Sequence, residues 1–264
     1  MHVHCNPGAD SAQCHICSSS SSLLGESLVL RRYPAKYLRC SSCGFIQTEQ
    51  PYWLDEAYSS AIASQDVGIL FRNQTNCEVT SAVLNLLFPD VKSAIDYGGG
   101  DGVLVRLMRD RGFNFFWWDL HAANMFARGF EAPMDAKFDF LSAFEVLEHL
   151  VDPLVEIAKL MELSDNVLAS TCLVPEPVPS IADWWYYMPT SGQHVSFYTP
   201  ASLQSIAKHF NRYLLSVGPY HLFTREPANY YWFRFATSPR MARWINKAYP
   251  RAGLIASDLE KMAQ

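Results

Sequence analysis

Ser93-Ala94-Ile95-Asp96-Tyr97-Gly98-Gly99-Gly100-Asp101-Gly102-Val103-Leu104-Val105 decides the fold. A short apolar run ends on an acid, glycines follow at 98, 100 and 102, and a segment with helical spacing comes next. That order predicts a strand, a tight turn and a helix. Glycine suits a chain that must bend sharply and let a ligand touch its backbone. The helix that follows offers N–H groups without intrahelical partners and the positive end of its dipole. Asp96 falls at the carboxyl end of the strand, beside the crevice where parallel sheets bind ligands.

Downstream, strand and helix alternate. Strand 94–97 is followed by a helix over 102–111, then by strand Phe113–Trp118, which ends at Asp119. Phe138–Phe144 reads as a buried strand, Pro153 to about Leu163 as a helix and Asn166–Thr171 as a strand. A helix over Pro200–Phe210 precedes Tyr213–Val217 and Tyr230–Ala236, which read as a closing pair of strands. The alternation predicts an α/β fold, doubly wound around a mostly parallel sheet. Asp119 lies 21 residues after Gly98, close to the ~20 expected for a carboxylate that takes ribose hydroxyls. Pro175, Pro177 and Pro179 break the pattern, so a lid over 174–199 leaves the alternation. The tail, 238–264, carries Arg240, Arg243 and Lys247 and reads as a surface helix.

Upstream, Cys14-His15-Ile16-Cys17 and Cys40-Ser41-Ser42-Cys43 form two C-x2-C pairs with 22 residues between them. Each turn presents two sulfurs, and the two turns together close a tetrahedral site, so a structural Zn2+ on Cys14, Cys17, Cys40 and Cys43 is expected. Four sulfurs leave no open position for catalysis. The serine run Ser18–Ser22 reads as a loop, with short strands over 28–33 and 36–39. His2, His4 and Cys5 compete as ligands only if the terminus is ordered. Residues 1–50 thus form a zinc-ribbon-like module. Residues 51–92 form a helical linker with a helix over Thr75–Leu87, and 93–237 form the main domain. Arg72 and Asn73, just before that helix, read either as a solvated helix start or as groups reaching a ligand's carboxylate.

Composition narrows the class. Hydrophobic residues make up 49% of 264, enough for a sizeable core. A formal net charge of −5 argues against gripping DNA or RNA. No run reaches the ~20 apolar residues of a membrane span, and the start lacks the pattern of a signal peptide. Seven cysteines, an odd number, four of them in C-x2-C pairs, fit a reducing compartment, with the cytoplasm as the default.

The glycine stretch 95–102, Asp119, and Phe138-Asp139…Phe144-Glu145-Val146-Leu147-Glu148-His149 with Asp152-Pro153 together resemble the class I S-adenosylmethionine-dependent methyltransferases. The likeness is to the branch of ubiquinone-pathway and sugar methyltransferases and covers roughly 75–236. The cysteine module is similar to that of deoxysugar C-methyltransferases, whose further C-terminal domain this chain is too short to hold, which favours methylation on oxygen. The resemblance implies a seven-stranded sheet with an antiparallel last strand. It also implies Gly98, Gly100 and Gly102 around the methionine part of S-adenosylmethionine, with Asp96 near its amino group and Asp119 on its ribose. Residues around Phe130 and Glu131 would flank the adenine base, and Phe144 would complete the cofactor site.

Methyl transfer to a hydroxyl benefits from a base. His149, beyond a strand end, and His194, in Gly192-Gln193-His194-Val195-Ser196-Phe197, are the candidates, and for each a structural role stays open. Trp184, Trp185, Tyr186 and Tyr187 can stack on a sugar ring or plug the lid. The expected activity is methyl transfer to a small-molecule acceptor, a sugar, nucleotide-sugar or glycan hydroxyl. An RNA methyltransferase with a zinc module, helped by Arg31, Arg32, Lys36 and Arg39, and a non-catalytic binding module are the competing readings.

Overall fold

The computed structural model describes residues 11–59, 67–133 and 135–263. The N-terminal part holds β1 (Ser11–Gln13), β2 (Ser20–Val29), β3 (Tyr33–Cys40), β4 (Ile46–Thr48) and the short α1 (Leu54–Ala57). The middle holds α2 (Ile69–Leu87), β5 (Ala94–Tyr97), α3 (Val103–Asp110), β6 (Phe115–Trp118), β7 (Phe140–Phe144), α4 (Pro153–Leu163) and β8 (Asn166–Ser170). The remainder holds β9 (Ser196–Phe197), α5 (Pro200–His209), β10 (Tyr213–Val217), β11 (Tyr220–Thr224), α6 (Tyr230–Ala236), α7 (Pro239–Ala248) and α8 (Ile255–Met262).

The chain divides into two compact units. The first comprises Met1–Ser60, Val146–Ala158 and Thr171–Phe210; the second comprises the rest. The lid therefore belongs with the cysteine module, where the sequence had placed it with the main domain. The physical reason is pairing: β9 adds to β4 through Ile46 opposite Phe197, closing an antiparallel sheet in the order β1-β2-β3-β4-β9. Its core gathers Tyr37, Trp53, Tyr186, Tyr187, Val195 and Phe197. Trp53 donates its indole N–H to the Gly192 carbonyl at 2.8 Å, so this buried ring leaves no polar atom unmet. Ser20–Ser22 belong to β2 rather than to a loop, because Ser21 and Ser22 pair with Cys40 and Arg39.

The second unit carries a six-stranded sheet in the order β10-β11-β8-β7-β5-β6. β6, β5, β7 and β8 run parallel, and β11 is antiparallel to β8. β5 and β7 are buried along their whole length, as expected of strands covered on both faces. Six strands stand where seven were expected. Among the described residues, an isolated parallel bridge, Trp117 to Glu131, takes the position of a further strand at the outer edge of β6. Gly129 before it and Pro133 after it discourage a longer ladder.

Three expectations need correction here. The closing strand is Tyr220–Thr224, entered by a two-residue turn in which Gly218 has φ 57°. Tyr230–Ala236 is instead the helix α6: the Asn229 side chain accepts from the Tyr231 and Trp232 N–H groups, and this cap turns an aromatic, strand-like run into a helix. The linker helix starts at Ile69, not Thr75; exposed Leu70 and Phe71 disguise its first turn.

The tail is anchored rather than loose. Asp258 of α8 accepts from Arg109 at 2.6 and 2.9 Å and from Arg106 at 2.8 Å. Burial alone would raise the Asp258 carboxyl, and the two guanidinium groups hold it below its ordinary value. Asp258→Ala leaves the Arg109 guanidinium buried without its carboxylate, at an expected cost of about 3 kcal/mol. A lower urea midpoint at unchanged slope is the expected readout.

Candidate active site and cysteine centre

The second unit builds its crevice at the carboxyl ends of β5, β6 and β7. Gly98, Gly100 and Gly102 all adopt positive φ, at 73°, 53° and 86°, a region that side chains with a Cβ avoid. The turn is fixed by backbone bonds: Gly98 and Gly99 both donate to the Trp118 carbonyl, at 2.9 and 3.0 Å. A Cβ on Gly99 would meet the Trp117 ring at 2.8 Å, whereas one on Gly100 would meet nothing within 4 Å. The backbone at Gly100 thus faces open space, as a surface for close ligand approach must.

Asp96 is 4% exposed and accepts from Ser142 Oγ at 2.6 Å. Burial pushes its carboxyl up to about 7; the serine bond opposes this and the charge of Asp119 adds to it. Such a group gains from a cationic ligand that restores the charge it loses by burial. The Asp119 carboxylate already serves the turn, taking the Gly100 N–H at 2.9 Å on one oxygen and the His121 and Ala122 N–H groups at 2.7 Å on the other. Glu131 is exposed and accepts from Asn124 Nδ2 at 2.6 Å and Gly129 N at 2.9 Å. Phe130 is corrected: Arg109 lies 3.7 Å and Lys261 4.7 Å from its ring centre, so the ring is taken within the chain and does not flank a base. Phe144 is nearly buried, edge-on to Tyr220 at 6.2 Å. Asn73 bonds back to Ile69 within its own helix, at 2.9 Å.

Two features of this crevice escaped the sequence reading. The Trp117 indole donates to the Gly100 carbonyl at 2.8 Å and braces the glycine turn. Glu145, at the end of β7, has φ 55° and exchanges hydrogen bonds with Ser170 at 2.9 and 3.0 Å. A non-glycine residue held in that region marks a strained position, common at functional sites. The two adjacent tryptophans before Asp119 were the available signal for the first.

In the first unit the structure brings His149 and His194 together, with ring centres 4.9 Å apart at 85°. His194 Nδ1 lies 2.7 Å from the Tyr186 carbonyl. A carbonyl only accepts, so Nδ1 carries the proton, and Nε2 is the basic nitrogen of the neutral ring. His149 Nδ1 is 2.9 Å from the Tyr58 hydroxyl. Glu148, fully buried, accepts from the Tyr186 hydroxyl at 2.6 Å. One ligand-type atom from each of Glu148, His149 and His194 lies within 4.8 Å of the others. Such a group can take up a proton or hold a cation.

The aromatic run beside it divides. Tyr186 and Tyr187 are 1% and 0% exposed, and Tyr187 packs on Tyr37, Trp184 and Phe197 at 4.8–5.5 Å. Their ring faces are spent inside the chain, so of the two readings these two rings take the plug and not the binding face. Trp184 is half-buried against them, and Trp185, 71% exposed, is the ring left facing outward.

Cys14, Cys17, Cys40 and Cys43 converge, with sulfur separations of 3.4 to 3.6 Å for three of the pairs. A tetrahedral ion with sulfurs ~2.3 Å away places its ligands ~3.8 Å apart, so the set fits one with little adjustment. Backbone N–H groups of Ile16, Ser42 and Cys43 point at Cys14 and Cys40 sulfurs at 3.4 Å, contacts that favour the thiolate form against the opposing effect of burial. His15 stands aside, its Nδ1 paired with the Val151 carbonyl. His2, His4 and Cys5 lie outside the described residues.

Comparison with known proteins bears on the second unit's sheet. A family model described as a methyltransferase domain matches residues 71–217, more than half of the chain. None of the curated proteins compared with the chain matches it. Among solved structures, an O-methyltransferase family protein from Burkholderia thailandensis is 16% identical, with a TM-score of 0.45, over 65% of this chain and 66% of that one. An O-methyltransferase from neocarzinostatin biosynthesis, in complex with S-adenosyl-L-homocysteine and 1,4-dihydroxy-2-naphthoic acid, is 14% identical, with a TM-score of 0.48, over 66% of this chain and 61% of that one. A magnesium protoporphyrin IX methyltransferase from Synechocystis with bound S-adenosylhomocysteine is 14% identical, with a TM-score of 0.44, over 64% of this chain and 90% of that one. The chain thus spans less than two thirds of the length of the first and second of these structures, and likenesses this distant bear on neither substrate nor mechanism. The family match falls on the glycine turn, Asp96 and Asp119: the chain belongs to the methyltransferase-domain family.

Proposed function

We propose that the chain moves the methyl group of S-adenosylmethionine onto a hydroxyl of a sugar-like small molecule, and that its four cysteines hold a structural zinc ion. The observation that carries the first part is the open glycine turn beside a buried Asp96, within a span matched as a methyltransferase domain. S-adenosylmethionine supplies an electrophilic methyl group on a sulfonium. Gly98, Gly100 and Gly102 give its methionine part room along the backbone. Asp96 suits its ammonium group, Asp119 its ribose, and Glu131 and Phe144 complete that side. The acceptor oxygen forms a bond to the methyl carbon as the carbon–sulfur bond breaks. His194 is the candidate base for the hydroxyl proton, with Nε2 as its basic nitrogen because the Tyr186 carbonyl sets its tautomer. His149 supports that ring and is the second candidate base. Trp185 offers a face for an acceptor's sugar ring. Placement in the cytoplasm and in polysaccharide biosynthesis accords with this reading.

Asp96 supplies the test. Its carboxyl is raised in the free protein, so its contribution to stability is full below the ordinary carboxylate range and fades as pH rises to about 7. An ammonium group beside it favours the ionised form and expels the proton. S-adenosylmethionine is therefore expected to bind more tightly as pH rises through about 7, with proton release that calorimetry in two buffers of different ionisation heat detects. Asp96→Asn should abolish that release and weaken binding by roughly tenfold, about 1.4 kcal/mol. A release unchanged in the variant would remove Asp96 from the site.

His194→Gln should lower kcat by about a hundredfold or more while leaving S-adenosylmethionine affinity within twofold, and should remove the acidic limb of the pH–rate profile. An intact acidic limb would assign the base to another group.

Elemental analysis should find one zinc per chain, lost in Cys40→Ser, with a chelator lowering the melting temperature. A fully metal-free protein with the parent's melting temperature would contradict the zinc centre.

A further inference from the structure

The last helices of the second unit carry a face that the methyltransferase reading does not use. α6 and α7 both rest on α2 and on each other. α6 turns Phe233 and Ala236 inward, and α7 turns Ala242 and Ile245 inward. Helical spacing puts Tyr231 and Phe235 on the opposite flank of α6 and Trp232 at its side, and they are 78%, 40% and 51% exposed. On α7 the outward position falls to Trp244, 66% exposed. Arg240 and Lys247 lie one turn to either side of that tryptophan, Arg243 is next to it in sequence, and all three are exposed. Arg234 adds a fourth cation on the α6 side.

The charge is one-sided. From Pro227 to Pro250 the sequence holds four arginines and lysines and no aspartate or glutamate, in a chain whose net charge is −5. Scattered exposed rings are ordinary, but large exposed aromatics on two neighbouring helices, in a segment that carries cations and no acid, mark an interaction surface. Tyrosine and tryptophan favour the zone between lipid headgroups and acyl chains, and arginine and lysine favour anionic headgroups. A second copy related by a two-fold axis would set these cations against themselves, with no acid in the segment to balance them. Single-stranded nucleic acid is held in grooves, and these rings stand on the outward backs of helices.

We propose that α6 and α7 dock on the surface of an anionic phospholipid bilayer, their rings at the headgroup boundary and Arg240, Arg243 and Lys247 on its phosphates. The attachment is peripheral: among the described residues no helix is long and apolar enough to cross a membrane. It places the enzyme where an acceptor carried on a lipid would be met, and it stands on surface residues that play no part in methyl transfer.

The test is co-sedimentation of the full chain with vesicles of phosphatidylcholine alone, or of equal parts phosphatidylcholine and phosphatidylglycerol, at low and high salt. Partitioning onto the anionic vesicles is expected to exceed that onto neutral ones by more than about tenfold and to collapse at high salt. Each cation removed should cost roughly fivefold, so Arg240→Gln with Arg243→Gln and Lys247→Gln should lose more than about a hundredfold. Trp232→Ser with Trp244→Ser should weaken binding and remove a vesicle-induced blue shift in tryptophan emission. These side chains are exposed, so the variants should keep the parent's thermal melt. Equal binding to both vesicle types, or none by the folded parent, would overturn the proposal. So would a dimer in sedimentation velocity that the same variants dissociate, or RNA retention on filters that they abolish.

Discussion

One carboxylate holds the glycine turn in shape. Asp119 takes the Gly100 N–H on one oxygen and two N–H groups of its own following turn on the other, so the end of β6 is tied to the loop after β5. That tie adds to the Trp118 carbonyl, the Gly99 carbonyl and the Trp117 indole in fixing three residues at positive φ. Because glycine loses more conformational freedom on folding than any other residue, a turn rich in it needs such bonds. The same carboxylate adds to the electrostatic load on Asp96, which burial already pushes toward neutrality. The crevice is therefore assembled in a state that favours a cationic ligand.

The first unit solves a different problem. An antiparallel sheet with a four-sulfur knot at one end has little room for a conventional core, and it recruits the proline-rich lid to complete one. Tyr186 and Tyr187 supply that core, and in doing so Tyr186 fixes Glu148 through its hydroxyl and His194 through its carbonyl. Packing and chemistry are carried by one residue. That is why the aromatic run reads equally well as a plug and as a binding face.

The parallel part of the sheet was legible because buried strands and amphipathic helices have different periods, and β5, α4 and β8 fall where that pattern puts them. Cys14 to Cys43 were legible because ligand spacing is nearly local. What hid from the sequence was decided by single polar contacts or by pairing far along the chain. Asn229 turned Tyr230–Ala236 from strand to helix by capping it. β9, two residues long, joined the lid to the cysteine module through Ile46 and Phe197, residues 151 apart, which no local pattern records. Phe130 was placed near adenine by family resemblance alone, but Arg109, needed to pair with Asp258 beyond residue 250, came to lie over its ring.

The measurement that bears most directly on the central claim is calorimetric titration of the zinc-loaded chain with S-adenosylmethionine and S-adenosylhomocysteine, on the parent and on Asp119→Ala. Saturable one-to-one binding in the micromolar range, weakened by more than about tenfold when Asp119 is removed, is the result this account predicts. A well-folded parent that binds neither compound would contradict it.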